Sequence, residues 1–179
     1  MSWMEEARNV FDELVIFIDE YRATPATIRR AEQVATRTYP HKARTWFDAD
    51  FGAMARACKA EWVFLLEYDE QLSPEWHTGK WRQILGATPF THFWVPRRWI
   101  LPHGRYIAAD PWSPDFQLRL FRNVDTTTFH TTLHGTISVA GRSACFRSLA
   151  IHHHVLWILS RAQREEKVRY YEQLRPVGA

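Results

Sequence analysis

Two uninterrupted apolar runs, each ending abruptly in acids, constrain this chain more than any other feature. Phe11-Asp-Glu runs into the apolar stretch Leu14-Val-Ile-Phe-Ile18, which closes on Asp19-Glu20, and Trp62-Val-Phe-Leu-Leu66 closes on Glu67-Tyr68-Asp69-Glu70. Continuous apolar character is what a strand needs when both of its faces are covered, as in a parallel sheet. Between the runs, Thr24 is placed to cap a helix whose first position is Pro25, and the pattern predicts that helix over residues 26–36. An amphipathic helix is expected over residues 1–11, with Trp3, Met4 and Ala7 on one side together with Val10 or Phe11. A short extended piece, Ala43–Trp46, should follow, then a small helix capped by Asp48 or Asp50 and reaching Ala60. Strand, capped helix and strand in alternation is the rhythm of an α/β domain with a parallel sheet. Such sheets bind ligands at the carboxyl ends of their strands, where Asp19, Glu67 and Asp69 would lie.

The second half reads differently. A helix is expected over Glu75–Leu85, a β segment interrupted by Pro96 over Phe90–Leu101, and a half-buried strand over Phe116–Phe121. A further β segment near Thr131–Val139 leads to Cys145–His154, and an amphipathic helix closes the chain from about Val155 to Leu174. With 179 residues and no repeat or linker, the pattern predicts a single domain over 1–179. A net charge of +3, with the arginines dispersed, argues against nucleic acid as a partner. The two cysteines form no disulfide framework, the N-terminus carries acids where a signal peptide has basic residues, and no apolar run is long enough to span a bilayer. These features predict a cytoplasmic protein and leave open peripheral contact with the inner face of the membrane.

Several side chains are suited to chemistry. Glu67 and Asp69 are two apart at a strand end, so they can converge on one hard divalent cation, with a solvated acidic turn as the bland alternative. Asp19 can accept hydrogen bonds from a nucleotide or simply cap a loop. The run His152-His153-His154 lies inside the chain, and on a strand His152 and His154 share a face from which either can ligate a metal. His130 and His134 are weaker nitrogen donors in a threonine-rich stretch. Arg97, Arg98, Arg119 and Arg122 bracket the middle strands, as phosphate clamps or as a solvated face.

Four segments carry a family resemblance. Phe11 to Asp19, Trp62 to Ser73, Trp112-Ser-Pro-Asp-Phe-Gln-Leu-Arg-Leu-Phe-Arg122, and Leu149-Ala-Ile-His-His-His followed by Lys167-Val-Arg-Tyr170 resemble, in this order, segments of family 2 glycosyltransferases. The third is the most specific and looks like the Pro-Asp-x-Gln-x-Arg-Leu-Phe-Arg signature of the bacterial branch that includes lipopolysaccharide-core transferases. The resemblance implies an α/β fold of GT-A type, a Rossmann-like, mostly parallel sheet flanked by helices and truncated at its N-terminus, because the match begins after the family's opening strand. It implies a UDP- or GDP-sugar donor, a divalent cation (Mn²⁺ or Mg²⁺), and a glycan or lipid-linked acceptor. By position, Asp19 would meet the nucleotide, Asp69 would be the principal metal carboxylate with Glu67 beside it, and His152 or His154 would complete the metal shell. Glu67 stands where the family's metal motif has Asp, and His134-Gly135 stands where the branch often has His-Glu. Asp115 is the substitute expected to act as base or acceptor contact. The alternative is a degenerate relative that binds or assembles without catalysis, as a homo-oligomer or with a partner that completes its sheet. A metal-dependent hydrolase ranks below both.

Overall fold

The computed structural model describes residues 3–42, 51–130 and 136–174. Its first part follows the expected rhythm. Helix α1 (Trp3–Val10) buries Met4, Ala7 and Val10, strand β1 (Val15–Asp19) follows, and helix α2 (Pro25–Val34) leads to strand β2 (Arg37–His41). Thr24 caps α2 as expected, its hydroxyl accepting the Thr27 N–H at 3.1 Å, and Pro25 occupies the first turn. β1 and β2 pair in parallel across α2. The expected extended piece at Ala43–Trp46, the caps Asp48 and Asp50, and His134 lie outside the described residues.

The rest departs from a parallel plan. Helix α3 (Phe51–Ala57) leads to strand β3 (Trp62–Phe64), then come β4 (Glu70–Leu72), a 3₁₀ turn at Pro74–Thr78 and helix α4 (Lys80–Gly86). Strands β5 (His92–Trp99), β6 (Asp115–Arg122), β7 (Thr128–His130), β8 (Thr136–Ser138), β9 (Ser143–Cys145) and β10 (Ile151–His153) follow, with helices α5 (Val155–Ile158) and α6 (Arg161–Leu174) at the end. A six-stranded sheet runs in the order β3-β6-β5-β10-β4, with β9 also bonded to β5, while β1-β2 and β7-β8 form separate pairs. β3 with β6, β5 with β6, and β4 with β10 are antiparallel, and β10 and β9 run parallel to β5.

The expectation of a mostly parallel, GT-A-like sheet is therefore corrected: the sheet is mixed and largely antiparallel. The cause lies in the connections. Among the described residues β1 and β2 are the one pair of bonded neighbours joined directly through a helix, as a parallel pair needs, whereas β5 and β6 follow one another through a loop and pair as antiparallel strands do. The expected helix over Glu75–Leu85 is split at Gly79, whose φ of 69° is left-handed and suits glycine. The closing helix is likewise broken, between Ile158 and Arg161.

Much of the tryptophan surplus builds core. Trp76, only 1 % exposed, packs between Phe11, Phe64 and Trp81, with ring centroids 6.0, 4.7 and 5.6 Å away. Its indole N–H donates to the Ala150 carbonyl at 3.0 Å, as a buried indole requires. Among the described residues no helix is long and apolar enough to cross a membrane.

Candidate functional site

A cavity of about 2000 Å³ opens between β1 and β3 and ends where both strands run out into acids. At that end the carboxylates divide into two groups.

In the first group every carboxylate is bonded to a guanidinium, although Arg119 Nε itself is buried without a hydrogen-bond partner among the described residues. Arg119 of β6, 4 % exposed, donates through Nη2 to Glu67 Oε1 at 2.5 Å and Glu70 Oε1 at 2.7 Å. The other Glu70 oxygen accepts the Glu67 backbone N–H at 3.0 Å. Burial alone would raise the Glu67 carboxyl, but the Arg119 charge and hydrogen bond reverse that and hold it below the ordinary carboxylate range. Glu70 is sealed from solvent beside Glu67, and burial pushes it up to about 7 despite Arg119. One strand over, Arg97 Nε donates to Asp115 Oδ2 at 2.8 Å, Trp99 Nε1 donates to the same oxygen at 3.0 Å, and Gln117 Nε2 donates to Oδ1 at 2.6 Å. Burial works against the Asp115 charge, yet Arg97 and these three donors together keep its pKa low. Asp115, expected as a base, is thus an ionised carboxylate with both oxygens occupied. Its place is to orient Arg97 and Trp99.

The second group is open. Asp69 is 2 % exposed and His153 5 %. Asp69 Oδ1 and His153 Nδ1 lie 3.7 Å apart, and neither has a hydrogen-bond partner among the described residues. Burial pushes the Asp69 carboxyl up to about 6, helped by the Glu67 charge. Burial also drives His153 down to about 3, helped by Arg97, so the imidazole is neutral and keeps a lone pair. The Trp99 ring stands edge-on to His153, centroids 4.4 Å apart. Lys167 and Tyr171 of α6 line the same end of the cavity.

The structure thus brings Glu67 and Asp69 to one place but gives them different work, and it selects a histidine other than those expected. Strand alternation puts His152 and His154 opposite His153. Their rings meet edge-on with centroids 6.4 Å apart, with His152 near Arg98 and Glu75 and His154 near Glu6. Asp19 lines the cavity while serving its loop: Oδ1 accepts the Tyr21 N–H at 2.9 Å and Oδ2 lies 3.4 Å from Arg22. Two residues take roles other than those weighed from the sequence: Arg119, expected as a phosphate clamp or part of a solvated face, is the buried cation between Glu67 and Glu70, and His153, not His152 or His154, is the member of the histidine run that meets Asp69. The spacing Glu67–Glu70 was their available signal, since two acids at the end of a buried strand call for a buried cation.

Among the described residues, no three His, Cys, Asp or Glu side chains are grouped to hold a metal ion. What fits a divalent cation is a pair. An oxygen and an imidazole nitrogen 3.7 Å apart can both reach one ion at about 2.1 Å, and this mixed donor set suits Mn²⁺ better than Mg²⁺, which holds to oxygen ligands, when phosphate oxygens and water supply the rest. The four-residue shell of Glu67, Asp69, His152 and His154 is not assembled. No family model matches the chain and no curated protein matches it, so nothing in these comparisons identifies a family 2 glycosyltransferase.

Proposed function

We propose that the chain is a glycosyltransferase of the family 2 kind, moving a sugar from a UDP- or GDP-sugar to a hydroxyl of a glycan or lipid-linked acceptor. The observation that carries the proposal is that Asp69 Oδ1 and His153 Nδ1, buried and 3.7 Å apart, have no hydrogen-bond partner among the described residues, at the end of a cavity lined by Lys167, Arg97 and aromatic rings. The pair would hold a divalent cation, which offsets the charge growing on the leaving diphosphate. Around it, Arg119 fixes Glu67 and Glu70, Asp115 fixes Arg97 and Trp99, and Lys167 adds positive charge where the diphosphate would lie. The ordered motifs that resemble family 2 enzymes support the same reading. They do so without its fold, since the sheet here is mixed. Asp19, tied into its own loop at the cavity wall, is the nearest acid to a bound ribose or base in this scheme. The reaction would run in the cytoplasm, with a lipid-linked acceptor reached from the inner face of the membrane.

One observation favours the degenerate alternative: Glu67, the first acid of the motif, is held by Arg119. An assay for release of nucleoside diphosphate separates the two. With Mn²⁺, a panel of UDP- and GDP-hexoses and a mixture of glycan acceptors, at least one donor should be consumed by the native chain and not by Asp69→Asn. Metal-dependent donor binding without consumption of any donor would assign the chain to the degenerate class.

A further inference from the structure

The exposed aromatic residues are not equivalent. Tyr39 is stacked on Phe17, centroids 5.2 Å apart, and the Arg98 guanidinium lies over the Tyr106 ring at 5.3 Å. Trp112 is 44 % exposed, and its ring meets Trp99 with centroids 4.9 Å apart and planes at 72°. Such a contact engages an edge of one ring and a face of the other, so it leaves Trp112 at least one face uncovered. A lone exposed tryptophan needs no explanation. What distinguishes this one is how it is held.

The loop between β5 and β6 is folded back on its own backbone. The Ile107 N–H donates to the Trp99 carbonyl at 3.0 Å, and the N–H groups of Trp112 and Ser113 both donate to the Ala109 carbonyl, at 2.9 and 3.1 Å. Trp99 lines the cavity, is fixed by its bond to Asp115 and stands edge-on to His153. Trp112 packs on Trp99 from outside. The exposed ring is therefore ordered before any ligand arrives, which lowers the entropy cost of binding to it.

The surroundings select the ligand. Many pyranose rings carry only C–H groups on one face, polarised by the neighbouring oxygens, and these pack well on the electron-rich face of an indole. The hydroxyls at the rim of the sugar then need flat polar partners, and Arg97, Asp115 and Gln117 form such a cluster around Trp99. Both Asp115 oxygens are bonded, yet Oδ1 takes only the Gln117 donor, and a carboxylate offers about four acceptor positions. An apolar partner would instead have to cover the carboxylates of Asp110 and Asp115 that flank Trp112 in the loop.

We propose that Trp112 is the stacking platform of a carbohydrate subsite, holding one pyranose ring of the acceptor beside Trp99 and the Asp115 cluster while the glycan leads on to the Asp69–His153 end of the cavity. This narrows the acceptor to a glycan of at least two rings, one reacting and one stacked. That the sugar belongs to an acceptor rests on the glycosyl-transfer reading; the platform itself does not.

Saturation-transfer NMR and fluorescence titration of the full chain test the platform, with cellobiose, lactose, maltose and chitobiose as probes. UDP and GDP with Mn²⁺ are titrated separately. Trp112→Leu keeps an apolar cover on Trp99 without an aromatic face, and Trp112→Phe keeps a ring. The native chain should bind at least one disaccharide, Trp112→Leu should weaken that binding by about fivefold or more, and Trp112→Phe should weaken it less. Nucleotide binding should be the same in all three. No disaccharide bound by the native chain, a smaller loss in Trp112→Leu, or equal losses in the two variants overturns the proposal. Phosphatidylglycerol vesicles that bind the native chain but not Trp112→Leu, with no disaccharide bound, would give the ring to a membrane surface and likewise overturn it. Trp112-dependent disaccharide binding by a chain that binds no nucleotide would uphold the platform and remove the glycosyl-transfer reading alone.

Discussion

Within one end of the sheet, the Arg119 network and the Asp69–His153 pair face the same problem of buried charge and resolve it in opposite ways. In the network, Glu67, Glu70 and Asp115 are each bonded to a guanidinium. In the pair, Asp69 Oδ1 and His153 Nδ1 are equally buried and have no hydrogen-bond partner among the described residues. A fold gains from the first arrangement, or at least avoids the cost of a lone charge. It gains nothing from the second, which persists only as a standing cost. On the proposed function, the difference would separate residues that hold the site in place from residues left available to a ligand.

The sharpest way to break this comparison is to remove the hub of the network. Arg119→Met leaves the buried Glu70 carboxyl with only Arg97, 3.9 Å away, and the partly exposed Glu67 without its guanidinium, and should cost roughly 3–5 kcal/mol, read as a large fall in the urea midpoint. Adding Glu70→Gln should recover a good part of that loss, and no recovery would mean that Arg119 acts through packing alone. The pair should respond the other way. In the metal-free chain Asp69→Asn should leave stability unchanged or raise it by on the order of 1–2 kcal/mol at neutral pH, because it removes a charge that burial disfavours.

The two groups should also differ in the sign of their pH dependence. Asp115 has a depressed pKa in the fold, so its contribution is present above the unfolded value near 4 and is lost as pH falls through the folded one. The stability gap between native chain and Asp115→Asn should therefore close on acidification. Asp69 is pushed up to about 6, so folding favours its protonated form. The advantage of metal-free Asp69→Asn over the native chain should vanish below about pH 4 and grow as pH rises through about 6. Unfolding measured at several pH values checks both signs, and parallel curves for the two mutants would end the contrast. The smallest effect belongs to His152→Ala, which should change Mn²⁺-dependent nucleotide binding by less than about twofold, since that ring points away from Asp69.

The sequence was most readable where local chemistry decides the outcome. Thr24 and Pro25 fix the start of α2 through one hydroxyl and one ring, and the apolar run of β1 locates its strand. Pairing partners were not readable, because nothing local to Trp62–Phe64 says that it lies antiparallel to β6. The same gap explains the histidines. Which member of His152–His154 faces Asp69 depends on the register that sets His153 opposite Glu70, and a shift of one residue reverses the choice. Arg119 looked like a solvent-facing residue because β6 alternates as a half-covered strand would. In the fold both faces of β6 are covered, Leu120 by one hydrophobic cluster and Phe121 by another, so Arg119 is buried as well.

The central claim, that Asp69 and His153 are kept unpaired for a metal-bound nucleotide, is tested most directly by calorimetric titration with UDP and GDP, with and without Mn²⁺. The native chain should bind at least one of them only when Mn²⁺ is present, and Asp69→Ala and His153→Ala should each weaken that binding by about tenfold or more, or about 1.4 kcal/mol. No binding by a folded native chain, or binding that both substitutions leave intact, would contradict the account.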